Sequence, residues 1–110
     1  MIEHDLFDVL QEVTPNVYAL MMPEDAVLPS ITYQVVYDGA NQATNGNFTS
    51  RDVRFQVDVF AKSYWEAKTL KDEVVAKVVG LGGGSISAQD LYEDEIKLHR
   101  QLIDFKIKRS

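Results

Sequence analysis

The chain has 110 residues, 45% of them hydrophobic and 25% charged, with no cysteine and a formal net charge of -6. That is one domain's worth of chain, spanning residues 1–110 without a linker, and its composition belongs to folded soluble proteins rather than to disordered or collagen-like ones. It excludes a disulfide framework, a thiolate metal site and a cysteine nucleophile, and its charge opposes the basic footprint of a nucleic-acid binder.

Ile2, Leu6, Val9, Leu10 and Val13 recur at three- and four-residue spacing, which predicts a helix from Ile2 to Val13. Acidic residues suit its first turn, and Thr14-Pro15 stops it. Val17 to Met22 reads as a short strand ended by Pro23-Glu24-Asp25. After Pro29, the residues Ile31, Tyr33, Val35 and Tyr37 alternate with Ser30, Thr32, Gln34 and Val36, a second strand with one buried face. Asp38 to Ser50 holds Gly39, Gly46 and three Asn with almost no apolar content, and reads as a long connection. Val53, Phe55, Val57, Val59 and Ala61 then alternate strictly with polar neighbours and with Phe60, the clearest strand of the chain.

Ser63-Tyr64-Trp65-Glu66 is a capping box that opens a second helix, with Ala67, Leu70, Val74 and Val78 as its core stripe and Glu73 to Lys77 as an i,i+4 pair. Gly80 to Gly84 ends it as a C-cap and flexible link. Ile86 to Tyr92 reads as a strand, Glu93-Asp94-Glu95 as an acidic turn, and Leu98 to Lys108 as a long strand with Gln101, Ile103, Phe105 and Ile107 on one face. The order α-β-β-β-α-β-β predicts an α+β fold, two helices packed on a mainly antiparallel sheet.

The charge is unevenly placed. The first 50 residues hold seven acidic residues and no Lys or Arg, whereas from Arg51 onward eleven basic residues face ten acidic ones. Glu3, Asp5, Asp8, Glu12, Glu24 and Asp25 are therefore candidates for one acidic surface. No apolar run nears the roughly 18 residues that span a bilayer. The start Met-Ile-Glu-His-Asp lacks a basic leader, so a cytoplasmic origin is expected.

Motifs for chemistry are weak. The glycines at 80–84 follow a helix instead of opening one, against a phosphate loop. His4 and Asp8 are two potential ligands without a third, the acids near Glu93 lack an EF-hand glycine, and His99 suits a structural or interface role. Asn47-Phe48-Thr49 matches a glycosylation pattern without a secretory signal. No metal, cofactor or catalytic residue is expected, although carboxylates such as Asp58 and Asp104 leave an acid-base hydrolase as a third reading. Two aromatics stand off the core pattern: Trp65, roughly 160 degrees from the helix stripe at 100 degrees per residue, and Phe60, on the polar face of its strand. Both suit an interface, and Trp65, near a helix start, equally suits packing over the sheet's end.

The stretches Leu28-Pro29-Ser30-Ile31-Thr32-Tyr33-Gln34, Arg54 to Lys62 running into Ser63-Tyr64-Trp65-Glu66-Ala67, and His99-Arg100-Gln101-Leu102-Ile103-Asp104-Phe105 resemble the tail-completion, or tail-terminator, proteins of long non-contractile-tailed bacteriophages. The resemblance covers nearly the whole chain in order. It implies a virion protein, made in the bacterial cytoplasm, that closes the tail tube as a ring, commonly a hexamer, at the head-tail junction. The implied partners are further copies of itself, the tail tube protein and a head completion or stopper protein, with DNA passing through without specific binding and no membrane contact. On this reading Phe60, Trp65, Arg54, Arg100, Asn41, Asn45, Asn47 and Phe48 are candidates for subunit or tube contacts, and the acidic residues for a lumen lining. The alternative is a small cytoplasmic α+β adaptor or ligand-binding regulatory domain.

Overall fold

Apolar residues one helical turn apart decide the first element. In the computed structural model, which describes residues 2–42 and 48–109 and the side chains of 2–39 and 52–108, helix α1 spans Ile2–Gln11 and buries Leu6 and Leu10 completely. It stops two residues short of the expected Val13, because the amides of Val13 and Thr14 both turn to the Leu10 carbonyl. The Thr14 hydroxyl donates to the Pro29 carbonyl at 3.3 Å, tying the helix end to the start of a strand.

Strand β1 is Val17–Ala19, half the expected length. Leu20 takes a φ of 68°, a left-handed conformation that breaks the extended run. β1 pairs in parallel with β2, Ser30–Gln42. Parallel neighbours need a crossover, and residues 20–29 supply it.

The largest departure follows. β2 and β3, Phe48–Ala61, form one antiparallel ladder from Ser30 opposite Phe60 to Gln42 opposite Phe48. The polar stretch read as a connection is thus mostly strand, leaving only 43–47 outside the described residues. Ladder pairing is a backbone property, and Val36 and Tyr37 are both exposed. With neither of these side chains covered, this part of β2 has no need of the apolar alternation that marks a half-buried strand. Toward Ser30 the opposite holds, since Ser30, Ile31 and Thr32 are all buried.

Helix α2, Tyr64–Gly80, starts at the expected cap, with the Glu66 amide donating to the Ser63 hydroxyl at 3.1 Å. Its Lys77 ammonium lies 3.7 Å from Glu12, just past the end of α1. Strands β4, Gly83–Glu93, and β5, Leu98–Arg109, complete a sheet of order β1-β2-β3-β5-β4, antiparallel except for β1 with β2. The expected α+β class and element order hold. The glycines are not a flexible link, because Gly83 and Gly84 already pair with Ile107 and Lys106 of β5.

Both helices cover one face of the sheet. Val53, Phe55, Val57 and Val59 of β3 and Ile103, Phe105 and Ile107 of β5 meet Leu6, Leu10, Val74 and Val78 there. The Phe55 and Phe105 rings stack at 5.6 Å between centroids. On the other face, Ser30, Phe60 and Arg100 form one row across three strands. The crossover brings Met22, Pro23, Ala26 and Leu28 alongside Leu98 and Lys62 at this end. Phe60, with the Arg100 guanidinium over its ring, is 9% exposed, correcting the expectation that it faces solvent. No described helix is long and apolar enough to cross a membrane.

Candidate functional site

Two charged clusters flank the end of the sheet where β3 finishes and β5 begins. On the helix side, Asp90 of β4 collects three donors. Gln101 Nε2 and Lys68 Nζ donate to its Oδ1 at 2.7 and 3.1 Å, and the Tyr64 hydroxyl to its Oδ2 at 3.2 Å. These bonds, Gln101's first, hold the Asp90 carboxyl below its ordinary range, and the bond to Asp90 raises the Lys68 ammonium. Tyr64 and Lys68 are four apart on α2 and so share a face, while Asp90 and Gln101 are register partners. Gln101 was legible as the lone polar residue in an apolar stripe; Asp90 was not, since only the packing of helix on sheet brings it to Lys68.

An aromatic chain continues from this cluster. Tyr92 meets His99 at 4.9 Å, His99 meets Tyr64 at 6.0 Å, and Tyr64 meets Trp65 at 5.1 Å, all edge to face. Trp65 is 75% exposed, as its helical angle predicted, and Tyr92 is half exposed. His99 is an aromatic spacer here, beside no metal ligand set; among the described residues no group of three or more His, Asp or Glu is placed to hold a metal ion.

On the helix-free side, Arg100 donates to Asp58 at 3.0 Å and to Glu93 at 2.7 Å, and its guanidinium lies over the Phe60 ring at 5.6 Å. Burial works against its charge, but the two carboxylates together outweigh burial and raise its pKa. Gln56 Nε2 donates to the other Asp58 oxygen at 3.0 Å. Arg54 pairs with Asp104 at 2.7 Å. The two carboxylates considered for hydrolysis are thus each bound to a guanidinium, an arrangement that holds a sheet face together and offers no activated base.

Of the acidic candidates, Glu3, Asp5 and Asp8 lie on α1 and Glu12 just past its end, with Asp8 and Glu12 exposed and His4 Nδ1 3.6 Å from Asp8. Glu24 and Asp25 are exposed in the crossover, where Glu24 lines a groove with Leu28, Lys62, Lys97 and Leu98. Asn41 and Phe48 sit on β2 and β3 by their backbones, and Asn45 and Asn47 lie outside the described residues.

The sheet thus carries exposed aromatics at one end and charge pairs on its open face. A family model described as Tail completion protein gp17 matches residues 8–108. The chain belongs to this family. It is therefore a bacteriophage-type tail completion protein, a structural component of the virion tail. Among solved structures, a chain of the virion of native gene transfer agent (GTA) particle has the same fold. The TM-score is 0.62 at 12% identity, over 98% of this chain and 90% of that one. No curated protein matches the sequence.

Proposed function

We propose that this tail completion protein closes the end of the assembled tail tube as a ring, hexameric in the form the family resemblance implies, and presents a surface to the head's connector. The observation that carries the reading is the family match over residues 8–108. The likeness in fold to a gene transfer agent virion chain supports it. Its partners are further copies of itself, the tail tube protein and a head completion or stopper protein, and it has no catalytic role. DNA slides through without specific binding. The exposed carboxylates of Asp8 on α1 and Glu12 just past its end supply a lining that repels phosphate.

Trp65 is the anchor for a tube or subunit contact, since large exposed aromatics carry interface energy. Mixing the purified protein with its tail tubes and imaging by electron microscopy tests both statements. Capped tube ends are expected with the native chain, and Trp65→Ala is expected to lower the capped fraction at least tenfold while shifting stability by no more than about 0.5 kcal/mol. Bare tube ends and no rings with the native chain would overturn the reading.

A further inference from the structure

A β-sheet ends in strand edges whose amides and carbonyls are ready to pair with another strand, and proteins guard such edges with Lys, Pro, bulges or short strands. This sheet guards its edges only in part. At one side, β4 keeps regular register with β5 from Ser87 to Glu93, beyond a bulge between Gly84 and Ser87. That stretch holds neither Lys nor Pro. At the other side, β1 covers β2 only from Ile31 to Tyr33. Past the irregularity at Val36, β2 is regular again from Tyr37 to Asn41, with no strand on its outer edge among the described residues and again no Lys or Pro. Among the described residues, the sheet thus carries two edge stretches without Lys or Pro, facing opposite ways.

We infer that the Tyr37–Asn41 edge of one copy pairs antiparallel with the Ser87–Glu93 edge of the next, continuing the sheet from subunit to subunit. β2 and β4 run in opposite directions within the sheet, so a neighbour in the same orientation meets β4 antiparallel. The occupant is a second copy because each edge finds its counterpart on the same chain, the condition for a heterologous, head-to-tail contact.

Sterics and charge agree on the offset. β1 blocks β2 near Tyr33, so the neighbour must slide along the strands until its Tyr37 end lies beside the first copy's Glu93 end. In the Tyr37 row the sheet carries exposed Lys106 and Arg54, the latter bound to Asp104, with exposed Lys108 two rows beyond. Beside Glu93 lie exposed Asp94 and Glu95. The offset therefore sets a basic end against an acidic turn. This inference rests on the self-assembly in the proposed function and names the surfaces that perform it.

The native chain has no cysteine, so engineered pairs report contacts without background. Tyr37 lies in a row with Lys106, and Ser87, Gln89 and Leu91 in rows with Asp104, Leu102 and Arg100, which places all of them on the helix-free face. Tyr37→Cys is mixed with Leu91→Cys or Glu93→Cys, the helix-free-face positions at the Glu93 end, in otherwise native full-length chains, on tail tubes and free, and oxidised. At least one mixture is expected to form disulfide-linked dimers at least tenfold more than Tyr37→Cys with Val79→Cys or Ala88→Cys, and several-fold less in 1 M salt, where the Debye length falls to about 3 Å. Linked dimers with bare tubes would support the edge contact while overturning the tube-closing role. Capped tubes or rings without these disulfides would overturn the edge contact and leave the proposed function standing. Absence of both would overturn both.

Discussion

Asp90 shows how a side chain that nothing marks as special in the sequence becomes a hub. Three donors from α2 and β5 converge on it, and they hold its carboxyl below the ordinary value of 3.8. A folded pKa below the unfolded one means that the unfolded chain takes up the proton first. The stabilisation is therefore present above the ordinary value and lost as pH falls through the folded one. Urea unfolding across acidic pH is expected to show native and Asp90→Asn chains differing most near neutrality and converging in acid, with the difference shrinking in salt because the site is solvent-exposed. A gap that stays constant down to pH 2 would remove the ionised carboxylate from the account. Phe60 teaches the complementary lesson. Alternation placed it on the polar side of β3, yet the Arg100 guanidinium lies over its ring and the ring is buried.

At the scale of elements, the glycine run is where local reading and packing part company. Gly82 takes a φ of 87°, which side chains rarely adopt. Gly83 is required for a different reason, since a Cβ there would run into the Val78 side chain and lie 2.8 Å from the Val78 carbonyl oxygen, while one on Gly84 would meet nothing within 4 Å. The run lets β4 leave directly beneath the end of α2. Gly83→Ala is expected to destabilise the protein by about 1–3 kcal/mol, the range for an overpacked site. Gly84→Ala should stay within about 0.5 kcal/mol of native in the same denaturant titration. Equal losses at both positions would contradict the close approach. The β2–β3 ladder departs from the sequence expectation for the opposite reason: backbone pairing extended two strands into a polar stretch where no side-chain pattern announced them.

For the whole molecule, one shared core ties the helices to the sheet. Phe55 and Phe105 are wholly buried between the layers. Phe55→Ala is expected to cost about 3–5 kcal/mol, a large part of the roughly 5–15 kcal/mol that holds a typical domain folded. Urea unfolding by circular dichroism checks it, and a loss below about 1 kcal/mol would place the ring outside the core. The charge imbalance also takes on spatial meaning at this scale. Glu3, Asp5 and Asp8 lie on α1 with Glu12 just past its end, whereas Glu24 lines a groove with Lys62, Lys97 and Leu98.

The sequence by itself determined the elements with strong periodicity. Leu6 and Leu10 place α1, the strict alternation through Phe55 and Val57 places β3, and the Ser63 cap starts α2 where the hydrogen bond is found. It also carried the family, because the three resembling stretches fall in order along the region that the tail completion model matches. These features were legible because each arises from residues a few positions apart. Only the tertiary structure decided that the Asp38–Ser50 region is mostly strand, that Phe60 is covered, that Asp90 meets Lys68, and that two edge stretches without Lys or Pro face opposite ways. Each depends on pairing or covering by distant residues, and a strand's hydrogen-bonding edge leaves no trace in its own side chains.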